Sequence, residues 1–324
     1  VSARIVKVGF VGAGYVATRH AETLSRLDGV GITAVADPRA DRTERFSRLT
    51  GARPYRCHEE MFAREPLDAV YICVPPAAHG PPERAAIQHD LPFFVEKPLA
   101  CDVATAESIA ALVKDHALAT GTGYHWRYLD TVERAAELLT ETPPLLVLGF
   151  WLDRTPGADW WIRQDQSGGQ LVEQATHLFD LARLLVGDFE VVHADASRLP
   201  GAADGEIHRA ATASLRFSSG AIGTIAATCV LDRGYRMSIE FFCTGRTVTL
   251  SEQELVVEDA TGRWTMTAHG DPFLREDADF IGAVREAHWS MRAPYGEALR
   301  THRLACAAAD AAYAGTACEA AVHD

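Results

Sequence analysis

The sequence predicts an α/β domain on a doubly wound parallel sheet, followed by an α+β domain with an open, mainly antiparallel sheet. Three observations carry that expectation. Short β-branched runs alternate with amphipathic helical stretches through the first third; a glycine turn directly follows the first run; and past residue 186 strand-like runs succeed one another without long helices between them. Alternation of the first kind belongs to βαβ units, whose helices cover both faces of a parallel sheet.

In the first third, strands are expected at Ile5–Val11, Ile32–Ala36, Ala69–Val74, Pro92–Val95 and Ala119–Gly123. Helices are expected at Tyr15–Leu27, Arg39–Thr50, Pro82–His89 and Val103–Asp115. The pattern changes after Tyr124, which sets domains at 1–123 and 124–324. A helix at Asp130–Thr140, the turn-forming Thr142-Pro143-Pro144, a strand at Leu145–Leu152 and a helix at Leu171–Val186 open the second domain. Strand-like runs then follow at Glu190–Ser197, His208–Phe217, Ala221–Cys229, Met237–Cys243, Thr247–Ser251 and Leu255–Glu258. Ser218-Ser219-Gly220 and Thr244-Gly245-Arg246 have the composition of hairpin turns. Helices at Leu274–His288 and Glu297–Ala321 close the chain, the last expected to pack back on the first domain.

Composition narrows the function. The 324 residues suit two domains, and 48% hydrophobic with 23% charged residues is globular. A net charge of −13 argues against nucleic acid, which needs a clustered cationic surface. No apolar run approaches the ~20 residues of a membrane span, and no secretory signal pattern is present, so a cytoplasmic location is expected. Seven scattered cysteines without a C-x-x-C pair suit neither a disulfide framework nor a zinc site, and no H-E-x-x-H cluster suggests a metal. Lysine occurs only at Lys7, Lys97 and Lys114.

Gly12-Ala13-Gly14-Tyr15-Val16-Ala17 follows the first strand and opens a helix, the setting in which G-x-G-x-x-A marks a dinucleotide-binding Rossmann domain. Gly12 permits the tight turn, Gly14 lets a pyrophosphate approach the backbone, and Ala17 allows close helix–strand packing. The phosphates then meet free N–H groups at Gly14, Tyr15 and Val16, where the helix dipole favours negative charge. The second strand ends at Asp37, spaced to grip a ribose 2′-hydroxyl or to cap the next helix. An acid there repels a 2′-phosphate and favours NAD, whereas Arg39 and Arg42 can accommodate the phosphate of NADP.

Glu96-Lys97-Pro98 lies at the C-terminal end of an expected strand, the edge at which open α/β sheets bind ligands. Proline keeps Lys97 out of helical geometry, and X–Pro is where a cis peptide costs least. Beside a nicotinamide, a lysine can stabilise a developing alkoxide. Gly168-Gly169 precedes a helix that should set Glu173 and His177 on one face, four residues apart, with Asp180 three further on. Histidine suits proton transfer near neutral pH. Arg127 follows the last strand of the first domain and is either a substrate contact or half of a structural ion pair. Trp160, Trp161 and Arg163 sit where a lid would cover a sugar ring, or anchor a loop instead.

These motifs, in this order, resemble the glucose–fructose oxidoreductase/inositol dehydrogenase/rhizopine catabolism (Gfo/Idh/MocA) family. The likeness covers essentially the whole chain, including Val74-Pro75-Pro76…His79, the Trp160-Trp161 loop and Phe273…Phe280. It implies cofactor contacts from Pro75, His79, Glu96 and Lys97, with His177 as acid/base assisted by Lys97. Glu173 stands where the family has Asp, and Ala175 where it has Gly; the longer Glu173 either reaches substrate, relays a proton or orients His177. The resemblance implies hydride transfer between NAD(P) and a secondary alcohol or ketone of a sugar, cyclitol or polyol. It also allows a redox-assisted glycosidase or lyase, and the fold alone would allow a dinucleotide sensor. An apolar open sheet face further implies a homodimer or homotetramer.

Overall fold

The structure, a computed structural model, describes residues 4–286 and 291–314. The ends of the two expected closing helices, beyond 286 and 314, and Cys318 lie outside the described residues. The chain forms two compact units: Val1–Ala100, Ala104–His125 and Asp271–Leu299 make the first, and Cys101–Val103, Trp126–Gly270 and Arg300–Asp324 the second. The main crossing at His125/Trp126 is two residues past the expected boundary. Residues 271–299, assigned from sequence to the second domain, belong to the first.

The first unit runs β1 (Val6–Val11), α1 (Tyr15–Leu24), β2 (Val30–Ala36), α2 (Ala40–Thr50), β3 (Arg53–Tyr55), α3 (His58–Arg64), β4 (Ala69–Ile72), α4 (Pro81–Gln88), β5 (Phe93–Val95), α5 (Val103–His116) and β6 (Thr120–Thr122). The strands are parallel, in the order β3-β2-β1-β4-β5-β6. That order reverses direction between β1 and β4, which opens the crevice where doubly wound sheets take ligands. Strand β3 and helix α3 were not anticipated. Arg53-Pro54-Tyr55 carries a proline, which reads as a break, but as an edge strand it tolerates the missing N–H.

The second unit continues with α6 (Asp130–Glu141), β7 (Pro144–Arg154), α7 (Gln164–Ser167), α8 (Gln170–Glu173), α9 (Thr176–Val186), β8 (Phe189–Ser197), β9 (Ala210–Phe217), β10 (Ile222–Leu231), β11 (Arg236–Cys243), β12 (Arg246–Ser251), β13 (Glu254–Asp259) and β14 (Gly262–Thr267). Helix α10 (Pro272–Glu286) returns to the first unit, and α11 (Tyr295–Ala314) ends the described chain. The eight strands are ordered β14-β13-β12-β11-β7-β10-β9-β8. All neighbours are antiparallel except β7 and β10. Both expected hairpins are present, with Gly220 and Gly245 at φ 90° and 73°. One sheet face, carrying Val147, Ile225, Ile239, Phe241, Val248 and Leu250, is buried with Leu178, Phe179 and Leu181 of α9 in a continuous core.

The expected helix Leu171–Val186 is two helices. α8 stops at Glu173, Gln174 and Ala175 turn the chain, and α9 starts at Thr176. Glu173 and His177 therefore do not share one helical face, a correction to the reading from spacing. Among the described residues no helix is long and apolar enough to cross a membrane.

Candidate active site

In the first unit the expected dinucleotide residues gather at the C-terminal ends of β1, β2, β4 and β5. Gly12 has φ +91°, and a Cβ there would lie 2.2 Å from the Cys73 carbonyl oxygen. The turn thus presses against the end of β4, which only glycine allows. Gly14 differs: its φ is −80°, and a Cβ there would meet no atom within 4 Å. The protein's own packing does not require glycine at 14, and the missing side chain leaves the backbone there open to close approach by a ligand. Gly14 is also the N-cap of α1 and supplies no side-chain cap, so the first N–H groups of the helix stay available to an anion. These features fit a dinucleotide pyrophosphate. Tyr15, the first residue of α1, is 84% exposed, and its backbone N–H is among those at the open start of the helix. Ala17 is fully buried against the sheet, as expected.

Asp37 is buried, and both carboxylate oxygens already accept backbone bonds: Oδ2 from the Ala13 N–H at 3.0 Å, Oδ1 from the Arg39 N–H at 2.9 Å. The acid therefore braces the glycine turn from the end of β2. Each carboxylate oxygen retains a lone pair for a further donor such as a ribose hydroxyl. The Arg39 guanidinium is paired with Asp41 at 2.8 Å and lies largely in solvent. That pairing, by hydrogen bond and charge, raises Arg39 and lowers Asp41 from their ordinary values.

After β4, Pro75 leads into a short 3₁₀ turn, Pro76–Ala78, and His79 is buried behind it. His79 Nδ1 lies 2.6 Å from Glu83 Oε1, while Glu83 Oε2 accepts the Gly80 N–H. This carboxylate bridge fixes the start of α4 and leaves His79 Nε2 buried without a hydrogen-bond partner. At the end of β5, Glu96 is buried, Lys97 is half-buried, and the Lys97–Pro98 peptide is cis. Burial alone would raise the Glu96 carboxyl, but the hydrogen bond and charge of His20, with Lys97 beside it, hold it below the usual carboxylate range.

In the second unit, His177 is buried at the start of α9. Its ring lies nearly parallel to two indoles, with centroids 6.1 Å from Trp126 and 5.6 Å from Trp151. Neither tryptophan was singled out from the sequence: Trp126 was visible only as a neighbour of Arg127, and Trp151 only as a strand residue. The two indole centroids are themselves 5.9 Å apart, so the three rings form a triangular cluster that crowds the imidazole and restricts its rotation. Glu173 is fixed separately, its Oε2 accepting the Trp161 indole N–H at 2.6 Å. Trp161, for which lid and loop anchor were both open, is buried with Ile207 and Cys229, so it anchors its loop and orients Glu173. Trp160 is half-buried beside that cluster, and Arg163 is exposed and paired with Asp165 at 3.0 Å. The Gly168-Gly169 turn is demanded locally: Gly169 has φ +86°, and a Cβ there would sit 2.1 Å from Tyr313 Oη.

Of the two readings open for Arg127, the geometry shows the ion pair. Arg127 grips Asp180 with two hydrogen bonds, Nε to Oδ2 at 2.7 Å and a terminal nitrogen to Oδ1 at 2.5 Å, both side chains almost wholly enclosed. Asp180 Oδ1 also accepts the Thr301 hydroxyl at 2.9 Å. Arg127 thus clamps the segment after the first unit to α9 and α11, one turn from His177. Among the described residues no group of three or more His, Cys, Asp or Glu is placed to hold a metal ion.

A doubly wound sheet with an open glycine turn at its switch point, an acid closing β2 and a lysine closing β5 defines a dinucleotide-dependent oxidoreductase. The chain belongs to the GFO/IDH/MocA family. Residues 6–124 match the model of the oxidoreductase family with NAD-binding Rossmann fold, and residues 145–249 match the GFO/IDH/MocA C-terminal domain. It is 29% identical over 300 residues to myo-inositol 2-dehydrogenase of Thermotoga maritima, covering 86% of this chain and 88% of that protein. It is 26% identical to the NAD⁺-dependent scyllo-inositol 2-dehydrogenase of Bacillus subtilis, covering 79% and 78%. Among solved structures, a levoglucosan dehydrogenase in complex with NADH superposes with TM-score 0.85 at 19% identity, covering 97% of this chain and 98% of that one.

Proposed function

We propose that this chain is an NAD(P)-dependent dehydrogenase acting on a secondary alcohol or ketone of a sugar, cyclitol or related polyol. The observation that carries the reading is Lys97, half-buried at the C-terminal end of β5 in the unit whose open Gly14 turn suits a pyrophosphate. The names of the inositol dehydrogenase relatives support the substrate class. When bound, the nicotinamide supplies the hydride acceptor or donor. The protein's own part is to orient that ring, hold the substrate oxygen through the Lys97 ammonium, and move the alcohol proton at the His177 imidazole. Glu173, held by the Trp161 indole, would orient the substrate.

The test is absorbance at 340 nm with NAD or NADP and a panel of inositols, sugars and sugar acids, run in both directions with Lys97→Met as control. A lysine-dependent signal supports the dehydrogenase and names its substrate. Silence across the panel, with NADH binding intact by titration, favours transient sugar oxidation in a glycosidase or lyase, and product analysis on glycosides would settle that.

NAD is the preferred cofactor in this reading, because the Asp37 carboxylate closes β2 beside the glycine turn and Arg39 is engaged by Asp41. Asp37→Ser should lower kcat/KM for NAD and raise it for NADP, so that the NAD/NADP ratio falls by about tenfold or more, the loss of roughly 1.4 kcal/mol of discrimination. An unchanged ratio would remove Asp37 as the discriminator.

The sheet face opposite α9 carries Leu146, Leu148, Phe150 and Leu152, all half-buried, with Ile222 and Val230 exposed at its margin. Arg236 lies over the Phe150 ring, 4.1 Å from its centroid. Such a face suits a second copy of the chain, and a homodimer or homotetramer is expected by light scattering at micromolar concentration. A monomer would count against it.

A further inference from the structure

We infer that His20, clamped between the carboxylates of Glu96 and Asp277, is the positioning residue that holds the Glu96-Lys97 end of β5 in its working geometry. The inference rests on the reading of Lys97 as the group that holds the substrate oxygen. His20 lies on the buried face of α1 and is wholly enclosed. Its Nδ1 is 2.8 Å from Asp277 Oδ1, and its Nε2 is 2.9 Å from Glu96 Oε1. A neutral imidazole has one N–H and one lone pair, so it can satisfy only one carboxylate oxygen and must oppose the other. The imidazolium donates to both. Burial lowers the proton affinity of His20, but the charge and hydrogen bond of Asp277, joined by those of Glu96, outweigh it and hold the group well above the ordinary histidine value.

The surroundings leave this clamp little freedom. Rings of Phe94, Tyr71 and Phe273 pack around the imidazole at 5.0, 5.2 and 5.5 Å between centroids. The second oxygen of Asp277 accepts the hydroxyl of Thr23, the next residue on the same face of α1. Glu96 itself folds against Gly123, where a Cβ would lie 2.6 Å from its Oε1, so the carboxylate occupies space that only a glycine leaves. The strand end is held from both sides: the Glu96 N–H bonds the Ile72 carbonyl at 3.0 Å, and its side chain is fixed by His20. Lys97 is the next residue. Asp277, from α10, therefore bears on the position of Lys97 across 180 residues of sequence.

The other ionisable groups facing the cluster do not compete for the clamp. Glu276 of α10 is fully buried, neither of its oxygens has a hydrogen-bond partner, and burial pushes its carboxyl well above the usual range. Tyr71 of β4 and Cys73 beyond it are likewise raised by burial and stay neutral. Lys97 and His125 also favour the Glu96 carboxylate electrostatically. The groups within hydrogen-bond reach of the His20 ring nitrogens are thus two carboxylates, one on each side.

The chain's three lysines make the test direct, because a ¹³Cε-lysine spectrum of the full chain holds three signals and Lys97→Met assigns one of them. In His20→Gln and in Asp277→Asn, which keep side-chain volume, the Lys97 signal and its titration midpoint should shift while those of Lys7 and Lys114 hold. Glu276→Gln, which keeps side-chain volume at a carboxyl that bonds no part of the clamp, should leave all three in place. In ¹⁵N-histidine spectra of the unaltered chain at pH 8, one histidine, lost in His20→Gln, should show both ring nitrogens protonated. A neutral His20 at that pH, or a Lys97 signal unmoved in both clamp variants, would overturn the proposal. An unmoved Lys97 signal with an inactive Lys97→Met sinks the positioning role alone. A fully active Lys97→Met removes the role of Lys97, and with it the purpose of the clamp.

Discussion

Lys97→Met should lower kcat by about 10²- to 10⁴-fold, the range over which a positioned proton-handling group contributes, while NADH binding by fluorescence titration stays within a few-fold. Methionine keeps an unbranched side chain of similar length and removes the ammonium, so the strand end is disturbed little. The chemistry loses the charge that meets the developing alkoxide. His177→Asn should fall in the same range, because an amide can hydrogen-bond an alcohol but cannot accept its proton. The double variant should fall little below the worse single one, since groups serving one proton transfer are strongly non-additive. Near-normal turnover in Lys97→Met would remove the mechanism. Loss of NADH binding together with turnover would instead make Lys97 a cofactor anchor.

Arg127→Met should destabilise the chain by about 3–5 kcal/mol, because it strands the Asp180 carboxylate in an enclosed site with only the Thr301 hydroxyl to meet it. The expected fall in Tm is on the order of 10 °C by circular dichroism. Asp180→Asn should cost less, since a neutral amide can still accept one guanidinium bond. The double variant Arg127→Met/Asp180→Leu should recover much of the loss, because replacing both partners of a buried pair removes the uncompensated charge. This series also separates structure from substrate contact. A guanidinium that met substrate would raise KM in Arg127→Met and leave Tm nearly unchanged.

What could be read from the sequence were the features fixed by neighbours along the chain. The glycine turn after β1, the acid ending β2 and the cis-prone Glu96-Lys97-Pro98 depend on backbone geometry that a few consecutive residues dictate, and they stand where spacing put them. The alternation of helix and strand likewise announced the parallel sheet and the run of antiparallel strands behind it. Periodicity erred where a local pattern was cut by packing. A helix drawn through Leu171–Val186 was plausible from apolar spacing, yet the chain turns at Gln174–Ala175. Arg53-Pro54-Tyr55 is a strand despite its proline because it lies at the sheet edge, where the missing N–H is tolerated.

The tertiary structure alone decided what each site side chain touches. Arg127 was open between substrate and ion pair until Asp180, 53 residues on, proved to face it. Trp161 carried the composition of a lid and is instead the buried donor to Glu173. The indoles that cluster with His177 come from Trp126 and Trp151, on different elements with no motif in common. His20 meets partners 76 and 257 residues away. The physical reason is the same in each case. Backbone conformation follows from local sterics and hydrogen bonding, so a motif of six residues can specify it. The partner of a buried charge is chosen by whichever distant element the packed core brings within hydrogen-bond reach, and no local spacing encodes that.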